Sequence, residues 1–268
     1  MSLLLPGPAT RPTAQPRTGY LGEVIPMHRA FRRLAANGRS LAFGAAMAPL
    51  FIIAYVVAYP WLIDFWQATA EFWIDRLQVP GNVLRVPLEL WFGYSVDRIA
   101  IEIVPGAITL QLWLTHAAVT LIVFLLTFKF VNRALPLAYA LRIICALHAC
   151  SLFFFFFFEN AFPYEVVDHT RDFFGFTLFL HVIVAPVLLL SYYVLESSWK
   201  RQLGATLVIL GYFVVALPFQ LVAHAALAWL GTPLVMPVLY LAFGPFMNVL
   251  AFVALYSWVV TWGAPATD

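Results

Sequence analysis

Apolar residues in this chain run in long blocks, and six blocks reach the length of about 20 residues that a helix needs to cross a bilayer. They are Leu41 to Ile63, Ala107 to Phe128, Ala134 to Phe158, Phe173 to Leu195, Leu203 to Trp229 and Leu234 to Trp262. The pattern predicts an all-α polytopic membrane protein with six transmembrane helices in one domain, 41–262. Pro218, Pro237, Gly244 and Pro245 interrupt the last two blocks. Such residues are tolerated in spans where neighbouring groups take up the freed backbone bonds.

The segments between the blocks carry patterns of their own. The first connection, 64–106, is too long for a plain loop, and loops beyond about 15 residues usually hold structure or function. Trp61, Phe65, Trp66, Phe72, Trp73 and Leu77 recur there at near-helical spacing among Asp64, Glu71 and Asp75. That spacing predicts a helix lying in the membrane interface on the exoplasmic side. Ile99, Ile101 and Ile103 then alternate with Ala100, Glu102 and Val104, a short extended segment closed by Pro105-Gly106. Residues 1–40 hold Pro6, Pro8, Pro12 and Pro16 with no apolar period and read as a disordered basic tail. Leu3 to Leu5 is too short for the apolar core of a signal peptide, so the first span is expected to act as an uncleaved anchor. Residues 263–268 form a short second tail.

Composition strengthens the membrane assignment, because 63% of residues are hydrophobic and only 10% charged, against about 25% charged in soluble domains. Basic residues also sort by side. Arg29, Arg32, Arg33 and Arg39 precede the first span, Lys129 and Arg133 follow the second, and Lys200 and Arg201 follow the fourth. Basic loops stay in the cytoplasm, so both chain ends are expected there, in a bacterial inner membrane. The net charge of +2 hides this sorting and gives no reason to expect nucleic acid. Cys145 and Cys150, five residues apart on one helix, fall on different faces and are not expected to form a disulfide.

Candidate chemistry begins with Arg142, the only charge between Ala134 and Phe158. A guanidinium inside a span needs a partner, a polar cavity or the headgroups. Four histidines, His116, His148, His181 and His224, occupy four successive spans at depths of roughly 14, 15, 12 and 8 Å from the exoplasmic ends, counted from the helical rise. Facing histidines on neighbouring helices can ligate haem iron, so a b-type haem electron-transfer subunit is one expectation for this layer. Buried hydrogen bonding between helices is the other. The connection Glu159 to Asp172 gathers four carboxylates around His169 and Arg171. It suits a solvated loop or an acid–base site, while Glu165, Asp168, His169 and Asp172 lack an established metal-ligand spacing. Proline and glycine in the last spans, with Arg142 as a contact for carboxylate or phosphate, also allow a small transporter or lipid-handling protein.

Three stretches in order resemble the exosortase and archaeosortase family of membrane-embedded cysteine transpeptidases. Gly81-Asn82-Val83 followed by Ile101 to Leu112 is similar to the family's approach to the nucleophile helix. Leu141-Arg142-Ile143 is similar to its intramembrane arginine, and Asp168-His169 leading to Gly175 to its histidine and following glycine. The resemblance covers roughly Pro60 to Glu196 and departs at the nucleophile. Where the family has Cys-Ser-Gly, this chain reads Thr115-His116-Ala117-Ala118, so Thr115 or His116 replaces the cysteine. A thioester requires a thiolate. The resemblance therefore implies a non-catalytic relative, a pseudoenzyme that keeps Arg142 and His169 to hold the fold or a cargo segment. Its implied partners are the lipid bilayer, an active exosortase and a membrane-anchored cargo protein in protein sorting, with no cofactor. An active transpeptidase with an atypical nucleophile is the contrary expectation.

Overall fold

The computed structural model describes residues 38–89, 95–130, 134–191 and 198–261. The expected tails, 1–40 and 263–268, lie outside these except for the last three residues of the first, which already belong to a helix. Six helices are long and apolar enough to cross a membrane, and the chain is an all-α polytopic membrane protein.

Helix α1 (Gly38–Arg76) is one 39-residue helix that continues through Pro49 and Pro60. At 1.5 Å per residue it is about 58 Å long, well beyond a hydrocarbon core of about 30 Å. The expected interfacial helix is thus a correction: it is the far half of α1. Its stripe of Ile63, Trp66, Ala70 and Ile74 is buried against protein, while Trp61 and Phe72 remain exposed. The cover comes from the helices Val166–Ser191 and Trp199–Gly231 together with an antiparallel hairpin, β1 (Gly81–Glu89) and β2 (Ser95–Ile103), paired from Gly81 with Ile103 to Glu89 with Ser95. Ile99, Ile101 and Ile103 face inward as their alternation predicts. The first strand escaped the sequence reading because Pro87 sits inside it.

One hydroxyl locks this cap to the helices. Thr170 Oγ1, fully buried, accepts from the Ile101 amide at 2.9 Å, an amide that faces a helix and has no third strand to pair with. Thr170→Val should leave that donor unsatisfied, at a cost of about 1–3 kcal/mol. Thermal unfolding in detergent should show it as a lowered midpoint.

The remaining helices are α2 (Leu110–Leu126), α3 (Leu135–Phe158), α4 (Val166–Ser191) and α5 (Trp199–Gly231). The last span is broken into a 3-10 turn (Pro233–Val235), a short α6 (Met236–Val238), a π segment (Leu239–Phe243) and α7 (Pro245–Thr261). Pro218 does not break α5. A proline cannot donate to the carbonyl four residues before it, and the orphaned Val214 carbonyl instead accepts Trp66 Nε1–H at 2.8 Å. Pro237, Gly244 and Pro245 do break the last span. A Cβ at Gly244 would stand 2.5 Å from the Tyr240 carbonyl.

Helices α1, α4 and α5 make the core, with Leu188, Leu189, Ile209 and Phe213 buried between them. A polar file runs beside it: Gln220 Nε2 donates to Asn248 Oδ1 at 3.0 Å, and Asn248 Nδ2 donates to Thr177 Oγ1 at 3.3 Å. Helix α2 stands outside this core. None of its side chains is buried, and it packs against α3, its hairpin partner.

Candidate functional site

Helix α4 begins at Val166, so the expected Glu159 to Asp172 loop is corrected in its second half. Asp168, His169, Arg171 and Asp172 lie on the first two turns of a helix. Their spacing puts Asp168 and Asp172 on one face with Arg171 between them. Arg171 joins Asp168 at 2.8 Å and Asp172 at 3.3 Å. Arg98 of β2 approaches the same group, its guanidinium facing Gly175. Burial, then the nearby charge of Arg171, lowers the Arg98 pKa from its ordinary value, while Asp172 and Tyr59 oppose the shift.

His169 turns away from these charges into the bundle. Its Nε2 lies 3.1 Å from Nδ1 of His224 on α5, and the other nitrogen of His224 reaches the Phe243 carbonyl at 3.3 Å. Both rings are buried. A carbonyl only accepts, so His224 carries its proton on Nε2. For neutral rings, Nδ1 of His224 then accepts from His169 Nε2–H, and the lone pair of His169 is on Nδ1. This assignment follows from the network.

His169 and Asp172 line a cavity of about 280 Å³ whose other walls are Phe162, Tyr164, Met236, Pro237, Tyr240 and Leu241. Tyr164 and Tyr240 carry no motif, so the sequence reading missed them, although it marked the interruptions at Pro237, Gly244 and Pro245. The break itself was the available signal.

The other candidates lie elsewhere. His116 Nδ1 is 3.1 Å from His148 Nε2, joining α2 to α3. Thr115 is exposed and gives its hydroxyl to the Gln111 carbonyl at 2.9 Å. His181 Nδ1 bonds to the Thr177 carbonyl of its own helix at 2.7 Å, and its ring stacks on Tyr55. The four expected haem ligands therefore fall into separate settings, His116 with His148 and His224 with His169. Two axial nitrogens at about 2 Å from a metal would stand about 4 Å apart, whereas both pairs here are in direct hydrogen-bonding contact. Among the described residues no group of three or more His, Cys, Asp or Glu side chains is placed to hold a metal. Cys145 and Cys150 are both free.

Arg142 has partners at the other end of the molecule. Its Nε donates to Thr127 Oγ1 at 2.9 Å and its NH2 group to the Thr127 carbonyl at 3.4 Å. Its guanidinium lies over the Phe128 ring at 4.4 Å and near Tyr139 at 5.4 Å. Thr127 follows the last residue of α2, where unpaired carbonyls and the negative end of the helix dipole favour a cation. Arg142 is sixteen residues before the end of α3 at Phe158, about 24 Å of helical rise. His169 lies beyond that end. The structure does not bring Arg142, His169 and the Thr115–His116 position together.

A lateral groove of about 420 Å³ lies between α2 and α3. Ala117, Ala146 and Ala149 line it together with Trp113, Leu121 and Phe153.

The fold and these sites define an α-helical, multi-pass membrane protein with a hairpin cap and two lateral recesses. Comparison with protein-family models, curated proteins and solved structures finds no match for this chain.

Proposed function

We propose that this protein is a non-catalytic, exosortase-like membrane scaffold that assists the sorting of C-terminally anchored cargo proteins. The observation that carries the reading is the separation of the positions that match the family's catalytic set. Arg142 caps α2, His169 is committed to His224, and Thr115 faces outward with its hydroxyl bonded to its own helix. No base touches a nucleophile among them. The α2–α3 groove supports the cargo part, since the alanines lining it let a helix backbone approach closely and α2 buries no side chain. Lys129, Lys200 and Arg201 stand at the end opposite the hairpin cap, while Asp64, Glu71 and Asp75 stand beside it. That sorting favours cytoplasmic termini, an exoplasmic cap and a bacterial inner membrane.

The test is site-specific photocrosslinking in native membranes. A photoreactive residue at Leu121 in the groove should capture a membrane-anchored cargo protein with a C-terminal helix or an active exosortase. The same residue at Leu207, lipid-facing on α5, should capture neither. Equal capture at both positions would sink the reading.

A second reading, a lipid-handling protein or small transporter, is favoured by the broken last span beside a cavity, an arrangement that transporters use for binding. Uptake into sealed vesicles separates the two readings.

A further inference from the structure

We propose that the cavity beside His169 is a binding site for a primary-ammonium amphiphile, with the amine of an aminophospholipid as its occupant. The inference deepens the lipid-handling reading and is independent of the α2–α3 groove. The lining residues define the head of the ligand first. Asp172 Oδ1 accepts from Arg171 Nε at 3.3 Å, which leaves Oδ2 for another donor. His169 presents an acceptor lone pair on Nδ1, fixed by the hydrogen bonds through His224 to Phe243. Both groups accept, and among the described residues neither an arginine nor a lysine lines the cavity.

Aromatic rings complete the head site. Phe162, Tyr164 and Tyr240 line the same space, and Tyr240 meets His169 edge-on with centroids 6.0 Å apart. A carboxylate among ring faces attracts an ammonium both by charge and by the ring quadrupole. Among the described residues a carboxylate or phosphate head finds no cationic side chain on these walls, and would meet the Asp172 carboxylate instead. Arg171 is paired with Asp168 and Asp172, and neither it nor Arg98 is among the residues that line the cavity.

The rest of the cavity defines the tail. Met236, Pro237 and Leu241 are apolar, and Tyr164, Tyr240 and Leu241 are exposed at 53%, 39% and 51%. In a membrane protein those faces meet lipid, and tyrosines sit at headgroup level. The recess thus opens sideways at the membrane boundary near the hairpin cap. A diacyl lipid can leave its chains in the bilayer and insert only its amine. The small volume suits a headgroup and excludes a helix.

The test is lipid retention by native mass spectrometry of the full chain released from nanodiscs. Discs holding equal phosphatidylethanolamine and phosphatidylcholine should leave phosphatidylethanolamine bound at least about tenfold in excess, because a trimethylated amine cannot donate to Asp172 or His169. Dodecylamine should displace it, whereas dodecanol and free ethanolamine should not, which separates an anchored amine from a soluble one. Asp172→Asn should abolish the preference while leaving the thermal midpoint in place, and Leu241→Ala should lower retention of both lipids. Equal retention of the two lipids, preference for phosphatidylglycerol, or an unchanged preference in Asp172→Asn would each overturn the proposal. Loss of crosslinking at Leu121 alone bears only on the cargo reading.

Discussion

Gly44→Val should be the most damaging single substitution in the described chain. A Cβ at Gly44 would lie 2.3 Å from the Leu189 carbonyl oxygen and 2.8 Å from its carbon. Both are backbone atoms of α4, so no side chain can turn aside. Helices α1 and α4 would have to separate by about 1 Å to restore ordinary contact, opening the seam that buries Ala48, Leu188 and Leu189. Overpacking of this kind costs about 1–3 kcal/mol and sometimes more. Small residues carry helix contacts in membranes because close backbone approach replaces the hydrophobic effect there. Thermal unfolding in detergent should show a large drop in midpoint and a broadened elution profile. Gly211→Ala is the control, since a Cβ there meets nothing within 4 Å.

Arg142→Leu should destabilise the α2–α3 pair and leave the hairpin side intact. The change removes both hydrogen bonds to Thr127 and the cation over Phe128, and it leaves the end of α2 without its cap. A lost bond to a buried polar group costs about 1–3 kcal/mol. Thr127 is fully buried, so water does not replace the arginine freely. Arg142→Lys should recover only part of the loss, because an ammonium lacks the planar face that stacks on the ring. Cysteine pairs across α2 and α3 should crosslink less efficiently in Arg142→Leu, while pairs across β2 and α4 should be unaffected. An unchanged α2–α3 crosslink would show that Arg142 serves something other than this cap.

The spans were legible because length and apolarity alone decide what crosses a bilayer. The fate of each interruption was less legible. Pro218 and Pro245 look alike in sequence, yet α5 continues through the first because Trp66 supplies the missing donor. The second follows Gly244, whose backbone leaves the helical region at φ −90° and ψ −114° and whose α-carbon lies too close to the Tyr240 carbonyl for a side chain. The interfacial helix was misplaced for a related reason. Trp66, Ala70 and Ile74 have the spacing of an amphipathic surface helix, and packing by α4, α5 and the hairpin turns that surface into a core.

The candidate site shows the same division. Arg142 stood out as a charge in an apolar span and His169 as a titratable group in an acidic connection, and both proved to be placed by specific partners. Depth counting put the histidines in one layer, but rotation about each helix axis decides which rings meet. Rotation set His224 toward His169 and His181 toward Tyr55. The aromatic walls of the cavity come from short irregular segments, where no period marks the inward face.

We propose that this chain holds a membrane-anchored partner without breaking its peptide bonds. Intact-mass spectrometry of the purified protein, incubated in nanodiscs with a cargo protein bearing a C-terminal transmembrane helix, tests it most directly. The account predicts a complex in which both masses are unchanged and from which the intact cargo is recovered. A shortened cargo, or an acyl adduct on Thr115 or His116, would contradict it.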